Sequence, residues 1–204
     1  NYNGYKNLIK LVSHAWVDGY YYKPRTDREE LEKYHEDLIV CSACIAGEVP
    51  NKIIRGDIEG AREACEWYHR VFGDDYYLEL QRHEVKDPTL VANREAYPLQ
   101  QKANKVLMQF AKEYGVKLVC TNDCHFEDKE TAEAHDHLLC LSTNEDLDDP
   151  KRMRYSKQEW FKTRQEMNEV FSDVPEAMAN TLEILDKIET YSIDHGPIMP
   201  FFPI

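Results

Sequence analysis

The sequence predicts an α/β protein built around a parallel sheet, and three observations lead to this class. Helical patterns and short apolar runs alternate between residue 27 and about residue 141, which is the order expected of βα units. Hydrophobic residues make up 42% of the chain and aromatic residues 11%, enough to bury a core. Roughly the last 60 residues carry helical patterns, so we expect a mostly helical C-terminal segment.

The first part of the chain is predicted to form two helices and a strand. Residues 5–17 carry apolar side chains at helical spacing. Thr26 and Glu29 have the spacing of a capping box, which would open a second helix that runs to about Glu36. The apolar run over residues 38–41 then indicates a short buried strand.

The middle of the chain alternates long helices and apolar strands. A helical pattern covers residues 57–72, and an apolar run at 76–80 indicates a strand. The longest helix is predicted over residues 97–114, with Pro98 marking its start and Gly115 its end. Four further elements follow: a strand over 116–120 and helices over about 130–141, over 163–171 behind a Thr163/Glu166 capping box, and over 175–188.

Composition limits the classes of function. The chain has 25 Lys and Arg against 38 Asp and Glu, a formal net charge of −13. Because nucleic-acid affinity depends on a basic face that displaces counterions, this charge argues against phosphate binding without a metal ion, a local basic patch or a partner. No apolar run approaches the roughly 20 residues that cross a bilayer, and no signal segment opens the chain, so we expect a soluble cytoplasmic protein that does not bind membranes.

The six cysteines are too sparse for a disulfide scaffold in a chain of 204 residues. Without a secretion signal they are expected to be reduced thiols or metal ligands.

Residues able to bind a metal ion follow each predicted strand. Cys44 follows the first strand, His83 the second, with Glu79 nearby, and Asp123 and His125 follow the third. The carboxyl ends of parallel strands meet at one edge of a sheet, where functional groups gather. Thiolate, imidazole and carboxylate all suit zinc or manganese. The sequence therefore predicts a site for one of these cations at that edge.

The spacing Asp123-x-His125 is the most specific of these patterns. In an extended backbone residues i and i+2 point the same way, so a carboxylate and an imidazole could meet one ion or bridge two. In the alternative interpretation, Asp123 caps the following loop and His125 is an ordinary surface side chain.

Two other metal-like patterns are disfavoured. His135 and His137 lie on a predicted helix, where i and i+2 are separated by about 200° around the axis and cannot share an ion. A four-cysteine zinc site is disfavoured because Cys41 and Cys120 end apolar strands, where a thiol packs as a small hydrophobe.

Arg25, with Lys23 beside it, lies between the first two predicted helices. The guanidinium could bind a phosphate or carboxylate bidentately, which makes the two residues a weak candidate phosphate site. Equally, Arg25 could pair with Asp27 or another acid.

Segments spread over nearly the whole chain form a recognisable series. They are, in order, Gly4-Tyr5-Lys6-Asn7-Leu8, Gly19-Tyr20-Tyr21-Tyr22-Lys23-Pro24-Arg25, Cys41-Ser42-Ala43-Cys44-Ile45-Ala46-Gly47-Glu48-Val49, Leu78-Glu79-Leu80-Gln81-Arg82-His83, Thr121-Asn122-Asp123-Cys124-His125-Phe126, and then residues 148–152, 166–167, 175–181 and 199–203. In this order and spacing they resemble the PHP (polymerase and histidinol phosphatase) domain of the bacterial DNA polymerase III alpha subunit.

The resemblance implies a distorted (β/α) barrel of PHP type with a multi-metal cluster at the carboxyl ends of its strands. Residues 1–145 would be the C-terminal portion of that barrel. Residues 146–204 would be a helical extension leading toward the polymerase palm.

Residue by residue, the resemblance matches Cys44, His83, Asp123 and His125 to the later metal ligands of the family. The strand ends select the same four residues independently. Cys41 remains an alternative to Cys44.

The resemblance further implies an activity and partners. A complete cluster would hold zinc or manganese and catalyse 3′-5′ exonuclease or phosphoesterase chemistry. The longer protein would be a DNA-directed DNA polymerase with magnesium at its own site, acting on DNA together with a proofreading exonuclease and a sliding clamp. Alternatives are a non-catalytic scaffold module for replisome partners, or a free-standing PHP phosphoesterase.

Departures from the family pattern concern both ends. The family's first ligands, a His-x-His among them, would precede Asn1, and the polymerase aspartates would follow Ile204. We therefore expect a piece of a longer protein with a partial ligand set, inactive in isolation.

Overall fold

The structure, a computed structural model, describes residues 1–203. It divides into two compact units, one formed by Asn1–Ile39 together with the C-terminal residues from Ile184, the other by Val40–Glu183.

Two helices form the start of the first unit: α1 spans Tyr2–Val17 and α2 spans Arg28–Lys33. The prediction of α1 is confirmed. A helix is also present where α2 is predicted, but both of its predicted ends are wrong. The helix begins behind Asp27 rather than Thr26, because the Asp27 carboxylate accepts the Glu30 N–H at 2.9 Å. It ends three residues before Glu36.

Close backbone contacts hold the segment after α2 against α1. A Cβ atom at Gly4 would lie 2.0 Å from the Asp37 carbonyl oxygen, so only glycine allows this approach. The Asn7 side chain donates to the Glu36 carbonyl at 3.0 Å, and His14 Nδ1 lies 2.6 Å from Glu30 Oε2.

A parallel three-stranded sheet forms the centre of the second unit. Its strands are β1 (Val40–Cys41), β2 (Tyr76–Leu80) and β3 (Lys117–Cys120), in the order β1-β2-β3. Cys41 pairs with Tyr77, and Leu80 pairs with Cys120. The predicted α/β class with a parallel sheet is confirmed. Within residues 1–203 the three strands form an open row, and the barrel stays a prediction.

Helices surround this sheet and follow it. Their bounds are α3 Glu48–Arg55, α4 Ile58–Phe72, α5 Ala96–Tyr114, α6 Ala132–Thr143, α7 Arg164–Val170 and α8 Pro175–Lys187, with short 3₁₀ turns at Gly73–Asp75, Val91–Asn93 and Lys129–Thr131. Helix α3 is absent from the sequence prediction. Its Pro50 stands in the first turn, where a missing N–H costs no helical hydrogen bond.

The core lies around β2, the central strand. Tyr77, Leu78 and Leu80 are fully buried, as is Phe110 of α5. The sequence of β2 is a mostly apolar run rather than an alternation of apolar and polar residues, because helices α4 and α5 pack against the strand. This packing fixes the edge at which the candidate residues lie.

Across residues 1–203, no helix combines the length and apolar character needed to span a membrane. The predicted division between residues 145 and 146 stays a prediction. Ile204, the last residue of the predicted extension, lies outside the described residues.

Candidate metal centre

The loop after β3 carries the most specific of the predicted pairs and is firmly held in place. The Asn122 side-chain amide donates to the carbonyls of Gln158 and Trp160, at 2.9 and 2.7 Å. The His125 N–H donates to the Glu159 carbonyl at 2.8 Å. Segment 156–160 therefore fixes the backbone on both sides of Asp123.

Asp123 and His125 lie side by side at the end of this strand. Asp123 Oδ1 is 3.5 Å from His125 Nε2, and the two side chains are 36% and 34% exposed. Asp123 has φ +46°, a left-handed conformation that Asp tolerates better than most residues. The two side chains meet, although the backbone at Asp123 is left-handed rather than extended as the i, i+2 prediction assumes. Both remain accessible to a ligand, and their role as metal ligands stays a prediction.

Aromatic rings surround the His125 imidazole. The Tyr155 ring lies 4.5 Å from it and the His135 ring 5.8 Å, and His135 also packs on Phe126 at 5.1 Å. Burial and then the neighbouring His125 lower the pKa of His135. His135 is thus packed beside the pair and is neutral at pH 7.

The pKa of Tyr155 is affected by the side chains near this pair. This pKa is raised first by burial and then by electrostatic interactions with Asp123, Glu159 and Cys44, in that order. These three side chains therefore lie close enough to one phenol to act on it. The phenol stays protonated at neutral pH, as a hydrogen-bond donor beside the pair.

His83 lies at the end of β2 and is only 3% exposed. Its Nε2 is 3.0 Å from the Asn122 carbonyl, and the Gln100 side-chain amide lies 2.9 Å from its Nδ1. Burial lowers the pKa of His83, more than the nearby Glu159 carboxylate raises it. The neutral ring thus donates from Nε2 to Asn122 and accepts at Nδ1 from Gln100, so metal binding would require it to give up one of these bonds.

Sequence reasoning missed Glu159, a buried carboxylate 3.4 Å from His83 Nδ1. Glu159 is 2% exposed and accepts from the N–H groups of Ser156 and Gln158, at 3.0 and 2.9 Å, and from the Ser156 hydroxyl at 2.5 Å. The spacing Ser156-x-x-Glu159 was the available signal, since Ser and Glu three residues apart commonly bond to each other's backbone.

Cys44 is half-buried after the end of β1. The alternative ligand Cys41 has its pKa raised to about 12, first by burial and then by the Glu79 carboxylate. A thiol must lose its proton to bind a metal, so burial disfavours Cys41 in that role.

The disfavoured patterns lie in separate surroundings. Helix α6 carries both His135 and His137, and His137 Nδ1 lies 2.7 Å from the Glu133 carbonyl on the exposed side. Cys120 is buried, which raises its pKa to about 12. Cys124 is exposed, with its sulfur 3.5 Å from the Trp160 carbonyl.

Arg25 and Lys23 belong to the first unit. The Arg25 guanidinium lies 4.8 Å from the Tyr21 ring centroid. Arg25 lines a cleft of about 450 Å³ that also contains the acidic side chains of Asp18, Asp27 and Glu30. Three carboxylates weaken an anion site, and phosphate binding at Arg25 and Lys23 stays a prediction.

The described donors fit a metal ion in part. Within residues 1–203, no three His, Cys, Asp or Glu side chains converge on one point as a cation would require. Asp123 and His125 fit a borderline cation because their accessible oxygen and nitrogen atoms face each other. His83 and Cys44 lie at the neighbouring strand ends as further donors, His83 with both ring nitrogens engaged.

Comparisons with known proteins find one family model and several relatives that are similar to this chain. The family model described as PHP domain matches residues 1–83. Over these residues the chain is similar to the PHP domain family. This match contains β1, β2, Cys44 and His83, whereas Asp123 and His125 lie beyond it.

The similarity to individual relatives extends over nearly the whole length of the chain. The chain is 40% identical over 203 residues to the DNA polymerase III subunit alpha of Borreliella burgdorferi, covering 98% of its own length and 17% of that relative. The corresponding subunits of Campylobacter jejuni and Thermus aquaticus are 38% and 36% identical, each over 90% of the chain. The chain spans 14 to 17% of the length of these three relatives.

Proposed function

We propose that this chain is part of the PHP domain of a bacterial DNA polymerase III alpha subunit and contributes ligands to a metal-dependent phosphodiester-cleaving site. The observation that carries the proposal is the Asp123–His125 pair, 3.5 Å apart and accessible at the end of β3. The similarity to polymerase alpha subunits over 98% of the chain supports the wider assignment.

Cys44, His83, Asp123 and His125 would be the ligands that this chain supplies for zinc or manganese. Such ions activate water as a nucleophile at neutral pH and neutralise charge on a phosphodiester. The chain's own residues orient the site: Asn122 and Glu159 fix the loop backbone, while Tyr155 packs on the His125 ring. Gln100 would have to release His83 Nδ1, or Asn122 its Nε2, before that ring could bind.

In the longer protein the reaction would be 3′-5′ exonuclease cleavage of DNA beside a magnesium-dependent polymerase site. DNA, a proofreading exonuclease and a sliding clamp would be its partners, and the bacterial cytoplasm its location. The named relatives support the polymerase assignment, and the other assignments follow from the resemblance to the PHP family.

The test compares metal content and nuclease activity in the full-length protein. His125→Ala and Asp123→Asn should each lower bound zinc or manganese, and the hydrolysis of a 3′-labelled single strand, by at least about tenfold, because even residues behind the ligands change affinity by that much. His137→Ala, on the exposed side of α6, is the matched control. Unchanged metal content and unchanged nuclease activity in both variants would refute the role of Asp123 and His125 as metal ligands.

One observation favours a second candidate function, a non-catalytic module of the polymerase. Both ring nitrogens of His83 already have protein partners, as expected of a histidine that serves packing. A full-length protein that holds no metal, and whose His83→Ala variant loses stability but no nuclease activity, would support the scaffold instead. A free-standing phosphoesterase has less support, since the named relatives are polymerase subunits.

A further inference from the structure

The Glu79 carboxylate joins two of the strand ends that carry the candidate ligands. One oxygen, Oε2, accepts the Ala43 N–H at 2.5 Å, and the other, Oε1, accepts the Thr121 hydroxyl at 2.9 Å. Ala43 directly precedes Cys44, and Thr121 stands two residues before Asp123. A single side chain on the central strand thus connects the turn after β1 with the loop after β3.

The Thr121 hydroxyl accepts one hydrogen bond and donates another. The Gln81 side-chain amide donates to Thr121 Oγ1 at 3.2 Å, which leaves the hydroxyl hydrogen free to donate elsewhere. Glu79 Oε1 is the acceptor that receives it. The direction of each bond is therefore fixed, and an uncharged amide at position 79 could not accept both hydrogens.

The turn that carries Cys44 depends on Glu79 through its backbone as well. The Glu79 N–H donates to the buried Ser42 hydroxyl at 2.8 Å, and the Ser42 N–H donates to the Tyr77 carbonyl at 2.9 Å. Ala43 then takes φ +63°, a conformation that a non-glycine residue adopts only when its surroundings impose it. The hydrogen bond that the Ala43 N–H donates to the Glu79 carboxylate supplies that constraint.

A small pocket lies beside the turn. A cavity of about 10 Å³, lined by Cys44, Glu79, Gln81 and Gln100 among others, has room for one water molecule at most. Ala43 itself is exposed, so packing does not fix the turn, and the hydrogen bonds made by Glu79 hold it.

We propose that Glu79 is a positioning residue that sets Cys44 and the Asp123 loop in register across the sheet edge. Its importance for metal binding rests on the proposed function, but the placement of Cys44 does not. Glu79 binds no ion in this role; it acts through Ala43 and Thr121.

The experiment uses the full-length protein with Glu79→Ala and Glu79→Gln, and Glu84→Ala as the matched control. Glu84 lies five residues further along, is 49% exposed and pairs with Lys86 at 3.6 Å. The first readout is the rate at which iodoacetamide alkylates Cys44 in metal-free protein, followed by peptide mass spectrometry. The second is zinc affinity, measured by competition with a chelator.

Glu79→Ala should raise the Cys44 alkylation rate several-fold and weaken zinc binding by about 10- to 100-fold, the usual effect of losing a residue behind a ligand. Glu79→Gln should fall between, and Glu84→Ala should match the wild type. Cys44 alkylation at the wild-type rate in Glu79→Gln overturns the proposal, and this milder variant decides the matter if Glu79→Ala does not fold. Faster alkylation in a protein that binds no zinc supports the positioning role and refutes the metal site instead.

Discussion

Ala43 occupies the left-handed backbone region, with φ +63°, beside a candidate ligand. For a residue with a Cβ atom this conformation costs about 1–2 kcal/mol, whereas glycine adopts it freely. The Ala43 N–H is nevertheless bound to Glu79, so the turn keeps its shape at that cost.

Ala43→Gly should therefore stabilise the protein. Relief of strain exceeds the added backbone entropy of the unfolded chain, and we expect a gain of about 0.5–1 kcal/mol in the free energy of unfolding. Urea denaturation followed by circular dichroism measures it. Ala134→Gly, at an exposed position inside α6, is the control and should lose about 1 kcal/mol. A loss at position 43 as well would contradict the strain.

At the scale of single residues, the sequence predicts those side-chain contacts that depend on local spacing. The i, i+2 spacing predicts that Asp123 and His125 meet, as they do, although the left-handed φ of Asp123 differs from the extended backbone on which that prediction rests. The partners of His83 were beyond reach, since Gln100 and Asn122 stand 17 and 39 residues away. The left-handed backbone at Ala43 could not be predicted, because the residues that indicate such a position in a sequence are Gly, Asn and Asp.

Among the elements, α6 and the segment after it are joined by a buried ion pair. The Arg152 guanidinium donates to both oxygens of Asp136 at 2.7 and 2.6 Å, and both side chains are less than a tenth exposed. Arg152 also donates to the Leu147 carbonyl at 3.0 Å. Because Tyr155 lies three residues further along, this pair helps to place the ring that packs on His125.

Asp136 makes stability depend on pH. The bonds from Arg152 hold the pKa of the Asp136 carboxyl below its usual value. A lowered pKa gives stability that is complete above the unfolded value of about 4 and is lost as pH falls through the folded value. Asp136→Asn should lose about 3 kcal/mol at pH 7, since Arg152 stays buried without its partner, and the loss should shrink toward pH 3.

Urea midpoints of wild type and Asp136→Asn at pH 7, 5, 4 and 3 measure this dependence. Asp148→Asn, an exposed acid in the segment after α6, is the control and should follow the wild type at every pH. Coinciding curves for wild type and Asp136→Asn at every pH would show that the pair contributes nothing, and an offset that does not shrink toward pH 3 would contradict the pH dependence.

Elements with strong local signals were predicted, and one weak element was not. The Thr163 and Glu166 capping box opens α7 as predicted, because both halves of the box lie within four residues. Helix α3 has eight residues and a proline, so its helical signal is short, and it exists because Val49 and Ile53 bury against the neighbouring helices.

At the scale of the whole molecule, the ends of three parallel strands bring together residues that are far apart in sequence. Cys44, His83 and Asp123 follow strands whose order in the sheet is also their order in the chain. The sequence predicts this edge because strands and helices alternate. It does not predict closure into a barrel, since closure depends on strands other than the three described between residues 1 and 203.

The 204 residues by themselves should neither bind DNA tightly nor hydrolyse it. Their net charge of −13 repels phosphates, and within residues 1–203 no three metal-binding side chains converge to offset that charge. A two-ligand site holds zinc or manganese too weakly to fix a reactive water. Fluorescence anisotropy with a labelled single strand at 50 and 200 mM salt should show weak binding, and 3′-labelled strand should stay intact with added zinc or manganese. The full-length protein under the same conditions is the positive control. Rapid cleavage by the 204 residues, abolished by EDTA and by His125→Ala, would mean that the ligands of this chain suffice for catalysis.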